Sequence, residues 1–128
     1  MVSIILVCST GLGQLSLFTA VSAVPLAKVV AKAVDAESAL LFAEQLDPDV
    51  LLADANYLQA ETLVLLKRIK EAFPKIIRIV LRAPASSTQK NRLFQQGAEF
   101  ILDDRNLDQE LTQILGNIQA YQNKRHSH

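Results

Sequence analysis

The sequence predicts an α/β domain, a doubly wound parallel sheet of five strands in the order 2-1-3-4-5, and three observations carry that prediction. Short apolar runs alternate five times with longer segments of helical periodicity, as strands buried on both faces alternate with crossover helices. Turn-forming Gly, Pro, Asp and Asn residues fall between these segments. The 128 residues, half of them hydrophobic and a fifth charged, are enough for one globular core.

Each element has a local reason. Ser3-Ile4-Ile5-Leu6-Val7 is a continuous apolar run ended by Ser9-Thr10-Gly11, and a helix-compatible stretch from about Leu12 to Ala23 stops before Pro25. Lys28 to Val34 is the second strand. Asp35 is placed to cap a helix that carries Ala39, Leu40, Ala43 and Leu46 on one side. Val50 to Ala53 is the third strand, followed by a helix from about Ala60 to Ala72 that buries Leu65, Leu66, Ile69 and Phe73 and leaves Lys67, Arg68 and Lys70 to water. After Pro74, Ile76 to Leu81 is the fourth strand. Ser86 to Gln96 is a polar helix closed by Gly97, and Phe100-Ile101-Leu102 is the fifth strand. Asn106 caps a last helix with Leu107, Leu111, Ile114, Leu115 and Ile118 on one face. Right-handed crossovers then give the flavodoxin-like order, in which chemistry gathers at the carboxyl ends of the strands: Cys8-Ser9, Asp54, Arg82-Ala83 and Asp103-Asp104. The domain spans residues 1–121, and 122–128 form a polar, basic tail, either a terminus or the start of a linker to an output module.

Composition excludes several classes. Thirteen basic and thirteen acidic residues cancel, so net charge does not point to nucleic acid or to an anionic membrane. Lys67, Arg68, Lys70 and Lys75 form a local basic patch that reads as a solvated helix face. A single cysteine, Cys8, allows no intrachain disulfide and suggests a reducing, cytoplasmic setting. Residues 1–27 carry no charge, and Val21-Ser22-Ala23 has the look of a small-residue cleavage site. A basic leading region is missing, however, and Ser9, Gly11, Gly13, Gln14 and Ser16 interrupt the apolar run, so neither a secretory signal nor a membrane helix is expected.

From Asp47 onward the chain resembles a response-regulator receiver domain. Pro48-Asp49-Val50-Leu51-Leu52-Ala53-Asp54 is similar to that family's strand ending in the phospho-accepting aspartate, and Gly97-Ala98-Glu99-Phe100-Ile101-Leu102 to its entry into the last strand. The resemblance implies an acceptor at Asp54, with Asn56 offering a backbone carbonyl to magnesium. It also implies an acidic pair after the first strand, but Cys8 and Ser9 stand there, so magnesium binding is expected to be weak or absent and no other cofactor is implied. The family's hydroxyl residue after strand four is Arg82, its lysine after strand five is Asp104, its aromatic switch is Ile101, and its Met-Pro is Tyr57-Leu58. These departures imply a degenerate member, a pseudo-receiver of two-component signalling that is not an enzyme and works through protein–protein contacts without the phosphorylation switch. An Arg82 ion pair with Asp54 or Asp104 would replace metal and lysine; otherwise Arg82 extends into solvent.

Two alternatives stand beside this. Asp54 could still be phosphorylated in a working receiver. The loop Cys8-Ser9-Thr10-Gly11-Leu12-Gly13 resembles the active loop of the phosphotransferase-system IIB proteins, which would make Cys8 a phosphoryl carrier, although a cysteine at a strand end is also a small buried hydrophobe. Finally, Leu15, Leu17, Phe18 and Val21 on the uncharged first helix cannot all face one core, which suggests contact with a second copy or another protein.

Overall fold

The computed structural model describes residues 2–8, 18–81, 86–102 and 107–126, with the backbone alone at 55–60, 107–108 and 121–126. Five strands, β1 (Val2–Val7), β2 (Ala27–Ala33), β3 (Val50–Asp54), β4 (Ile77–Leu81) and β5 (Phe100–Leu102), form one sheet in the order β2-β1-β3-β4-β5. Every pairing is parallel, so the predicted order holds. The helices are α1, whose described residues are 18–22, α2 (Ala36–Leu46), α3 (Ala55–Ala72), α4 (Ser87–Gln96) and α5 (Leu107–His126).

Parallel strands need cover on both sides, and alternation along each strand supplies it. Val2, Ile4, Leu6 and Cys8 of the first strand and its exit join Val50, Leu52, Ile79 and Leu81 under Val21 of α1 and Leu111, Leu115 and Ile118 of α5. The opposite set, Ile5, Val7, Leu51 and Ala53, packs against Ala39 and Ala43 of α2 and Leu65 and Ile69 of α3. A third cluster, Leu66, Val80, Leu93 and Ala98, seats α4. Both sheet edges are blunted: β2 exposes Lys28 and Lys32, and β5 is only three residues long.

The helix ends follow their chemistry. Asp35 caps α2, its Oδ1 accepting from the Ser38 N–H at 2.8 Å and the Ser38 hydroxyl at 2.6 Å. Gly97 closes α4 at φ +129°, and an added Cβ there would lie 3.2 Å from the Leu66 carbonyl oxygen, so glycine is required on both counts.

Several boundaries differ from the sequence reading. Helix α3 begins at Ala55, directly after β3, because Ala55 to Ala60 contains neither Gly nor Pro and several good helix formers. Leu46 is 44% exposed at the end of α2 and does not join Ala39 and Ala43, and Phe73 is half-buried just past α3. The last helix runs on through His126, across the tail boundary at residue 121. Of the first helix's apolar residues, Val21 is fully buried and Phe18 is half-buried against the same core, with the Lys32 ammonium 4.5 Å from its ring centre. Leu15 and Leu17 lie outside the described residues, as does the proposed cap Asn106.

Candidate functional site

The carboxyl edge of the sheet brings Cys8 and Asp54 together. The β1–β3 register pairs Leu6 with Leu52 and Val7 with Ala53, and Cys8 and Asp54 are the next residues along. Alternation puts both on the α1/α5 face, so they leave adjacent strands at the same level. On its other side Asp54 is level with Leu81 of β4, which pairs with Leu102 of β5. Adjacent strand ends were the basis for grouping these positions from the sequence, and the register supports the grouping for this pair.

Both residues are fully buried. Cys8 belongs to the apolar cluster under α1 and α5, and its backbone N–H donates to the Ala33 carbonyl at 3.0 Å, which continues the β1–β2 ladder by one residue. Asp54 stands immediately before the first residue of α3, a position where a carboxylate is favoured by the N–H groups and dipole of a helix start. Burial of a carboxylate is costly unless its surroundings supply donors or charge.

Ser9, Arg82 and Asp104 lie outside the described residues, as does the side chain of Asn56, whose backbone forms the first turn of α3. A divalent magnesium ion takes hard oxygen ligands. Of the two side chains placed together here, one is a carboxylate and the other a thiol packed with apolar neighbours, and that pair does not fit such an ion. Among the described residues no helix is long and apolar enough to cross a membrane.

The sequence did not announce the polar network at the opposite, amino edge. Arg78, the second residue of β4, is buried, and its Nε donates to the Gly97 carbonyl at 2.6 Å, its Nη1 to the Ile76 carbonyl at 2.8 Å and its Nη2 to Glu99 Oε1 at 2.8 Å. Beside it the Asp49 carboxylate accepts from the Ser3 N–H at 2.8 Å and the Ser3 hydroxyl at 3.0 Å. These contacts tie strand entries together, so they are framework.

Comparison with solved structures gives the architecture its name. The chain is similar to the isolated REC domain of RcsB from Salmonella enterica serovar Typhimurium (TM-score 0.79, 19% identity, 94% of this chain and 89% of that one). A LuxR-family two-component response regulator from Aurantimonas sp. superposes with a TM-score of 0.81 at 19% identity over 91% of this chain and 86% of that one. The chain has the receiver-domain fold. A pilus assembly-related protein from Burkholderia pseudomallei shares it as well, at a TM-score of 0.76 and 20% identity over 91% and 90% of the two chains. No protein-family model matches the sequence, and no curated protein does.

Proposed function

We propose that this chain is a pseudo-receiver of bacterial two-component-type signalling, a non-enzymatic cytoplasmic domain that works by associating with proteins and not through a magnesium-dependent phosphorylation switch. The single observation that carries the proposal is the full burial of Asp54 against α3 with Cys8, and not an acidic residue, beside it. Phosphorylation of a carboxylate requires a donor to approach it in line, with a cation to neutralise charge on both partners. A carboxylate without solvent access is closed to an in-line donor, and its neighbour at the exit of β1 is a thiol instead of a hard anionic ligand. The same burial speaks against Cys8 as a phosphoryl carrier, since a nucleophilic thiol must meet its donor.

The likeness to the Burkholderia protein favours a second setting for the same mode of action, in which the fold serves assembly of a pilus-type machine. Both settings use the domain as a docking scaffold. The deciding measurement is incubation with a small acyl phosphate and magnesium, followed by intact mass and site mapping. No added phosphoryl group is the expected result. An acid-labile adduct on Asp54 would establish a working receiver instead, and a thiol-linked adduct on Cys8 a phosphoryl carrier.

A further inference from the structure

Neutral overall, the chain is nevertheless sorted by charge. Residues 33–66 hold seven acidic side chains and no Lys or Arg, whereas residues 67–92 hold eight basic side chains and one acid, Glu71. The fold turns this order along the chain into an order in space. Helices α2, α3 and α4 lie side by side over one face of the sheet, with α3 in contact with both others. The exposed acids of α2 thus lie on one side of the basic second half of α3, and Lys90 and Arg92 of α4 lie on the other.

Each flank also carries apolar surface. On α2, Glu37, Leu41 and Glu44 recur at i, i+4 and i+7 and form one exposed stripe, with Leu41 at its centre 52% exposed. Between α3 and α4 runs a shallow groove of about 470 Å³ lined by Leu63, Val64, Lys67, Arg68, Glu71 and Gln96. Val64 is 53% exposed, and Phe94 of α4, one turn from Lys90, is 47% exposed. A scattered surface leucine needs no explanation. An acid–apolar–acid stripe on α2 and an apolar floor with a basic rim between α3 and α4 are complementary. Glu71 is a like charge in the groove, but Lys67 and Arg68 outnumber it and the exposed Lys70 lies alongside.

We propose that a second copy of this chain lays the Glu37–Leu41–Glu44 stripe of its α2 into the α3–α4 groove, Leu41 meeting Val64 and the carboxylates meeting Lys67 and Arg68. This deepens the association reading above and rests on it. Because the two surfaces differ, two copies either exchange stripes reciprocally in a two-fold pair, or each added copy presents a fresh stripe or groove and assembly runs head to tail. Exposed ion pairs contribute little each and are screened by salt, so the contact is weak and sensitive to ionic strength.

Sedimentation of the full chain across a concentration series tests this. At about 0.05 M salt the weight-average mass climbs with concentration to two copies or beyond; at about 0.5 M, where the Debye length is well under 10 Å, it falls back toward 14.1 kDa. The double variants Glu37→Lys/Glu44→Lys and Lys67→Glu/Arg68→Glu each stay monomeric, and mixing them restores association, which also shows that neither has simply unfolded. A chain that is monomeric throughout the series, an association that stops at two copies and ignores both charge reversals, or a mixture that stays monomeric would each overturn the interface. None of these outcomes bears on whether Asp54 takes up a phosphoryl group, so the two readings fail separately.

Discussion

The two ends of the sheet put buried charge to different uses. At the amino edge, Arg78 is locked by two backbone carbonyls and Glu99, and the Asp49 carboxylate accepts twice from Ser3, so the polar groups there hold strand entries in register. At the carboxyl edge, carboxylates stand ahead of helices: Asp35 caps α2 in full contact with water, and Asp54 precedes α3 with none. In a receiver fold the carboxyl edge is where ligands are met. The difference teaches that an acidic residue at that edge is not by itself evidence of chemistry there. What matters is whether a donor can reach it and which groups flank it.

The sharpest way to break the comparison is at Arg78. Replacing it with Leu, Arg78→Leu, leaves the buried Gly97 and Ile76 carbonyls without their donor. The loss of stability is about 3 kcal/mol, since an orphaned buried polar group costs ~1–3 kcal/mol. Little of this comes from the ion pair, because Glu99 is 38% exposed and that attraction is screened. Urea unfolding should show a lower midpoint with unchanged slope. An unshifted midpoint would mean that water or a rearranged chain satisfies the carbonyls and that the amino edge is not a lock.

A smaller effect is expected at Asp49. The Asp49→Ala change removes the acceptor for both Ser3 donors and should cost about 1–2 kcal/mol. A double-mutant cycle with Ser3→Ala isolates the side-chain part. Its coupling should be smaller than the whole effect of Asp49→Ala, because the Ser3 backbone N–H still donates to Asp49 when the hydroxyl is gone. Additive single changes would show that the hydroxyl bond contributes nothing beyond the backbone one.

Legibility followed the same division. The strands could be read because buried parallel strands are continuous apolar runs, and β5 fell on the residues expected of it. Asp35 was legible because a cap is a local pattern, with Ser38 only three residues away. Adjacency of Cys8 and Asp54 followed from strand order alone. Arg78 was not legible: one arginine inside an apolar strand gives no sign of its partner, which is a backbone carbonyl 19 residues on. The Ser3–Asp49 pair, 46 residues apart, was hidden for the same reason. The start of α3 was placed five residues late, at Ala60, although Ala55 to Ala60 itself favours helix. Leu46 followed the helical period but lies in the last turn, beyond the reach of the sheet. The Arg82 and Asp104 half of the candidate site falls outside the described residues.

The smallest predicted effect probes the water-exposed member of the carboxyl edge. Its two bonds from Ser38, the hydroxyl first and the backbone N–H second, hold the Asp35 carboxyl below its ordinary 3.8. A depressed native value means that folding favours the ionised form, so the cap's contribution is complete above the unfolded value near 3.8 and is lost as the pH falls through the lower native one. Asp35→Ala should therefore melt below the natural chain at neutral pH. The gap between their melting temperatures should narrow only once the pH drops beneath that ordinary value, as the natural chain loses its charged cap and the variant has none to lose. A gap that stays constant from neutral to strongly acidic pH would show that the hydrogen-bonding geometry of Asp35, and not its charge, carries the cap. The carboxyl edge would then be using this carboxylate as a neutral hydrogen-bonding group, with no electrostatic part in holding α2.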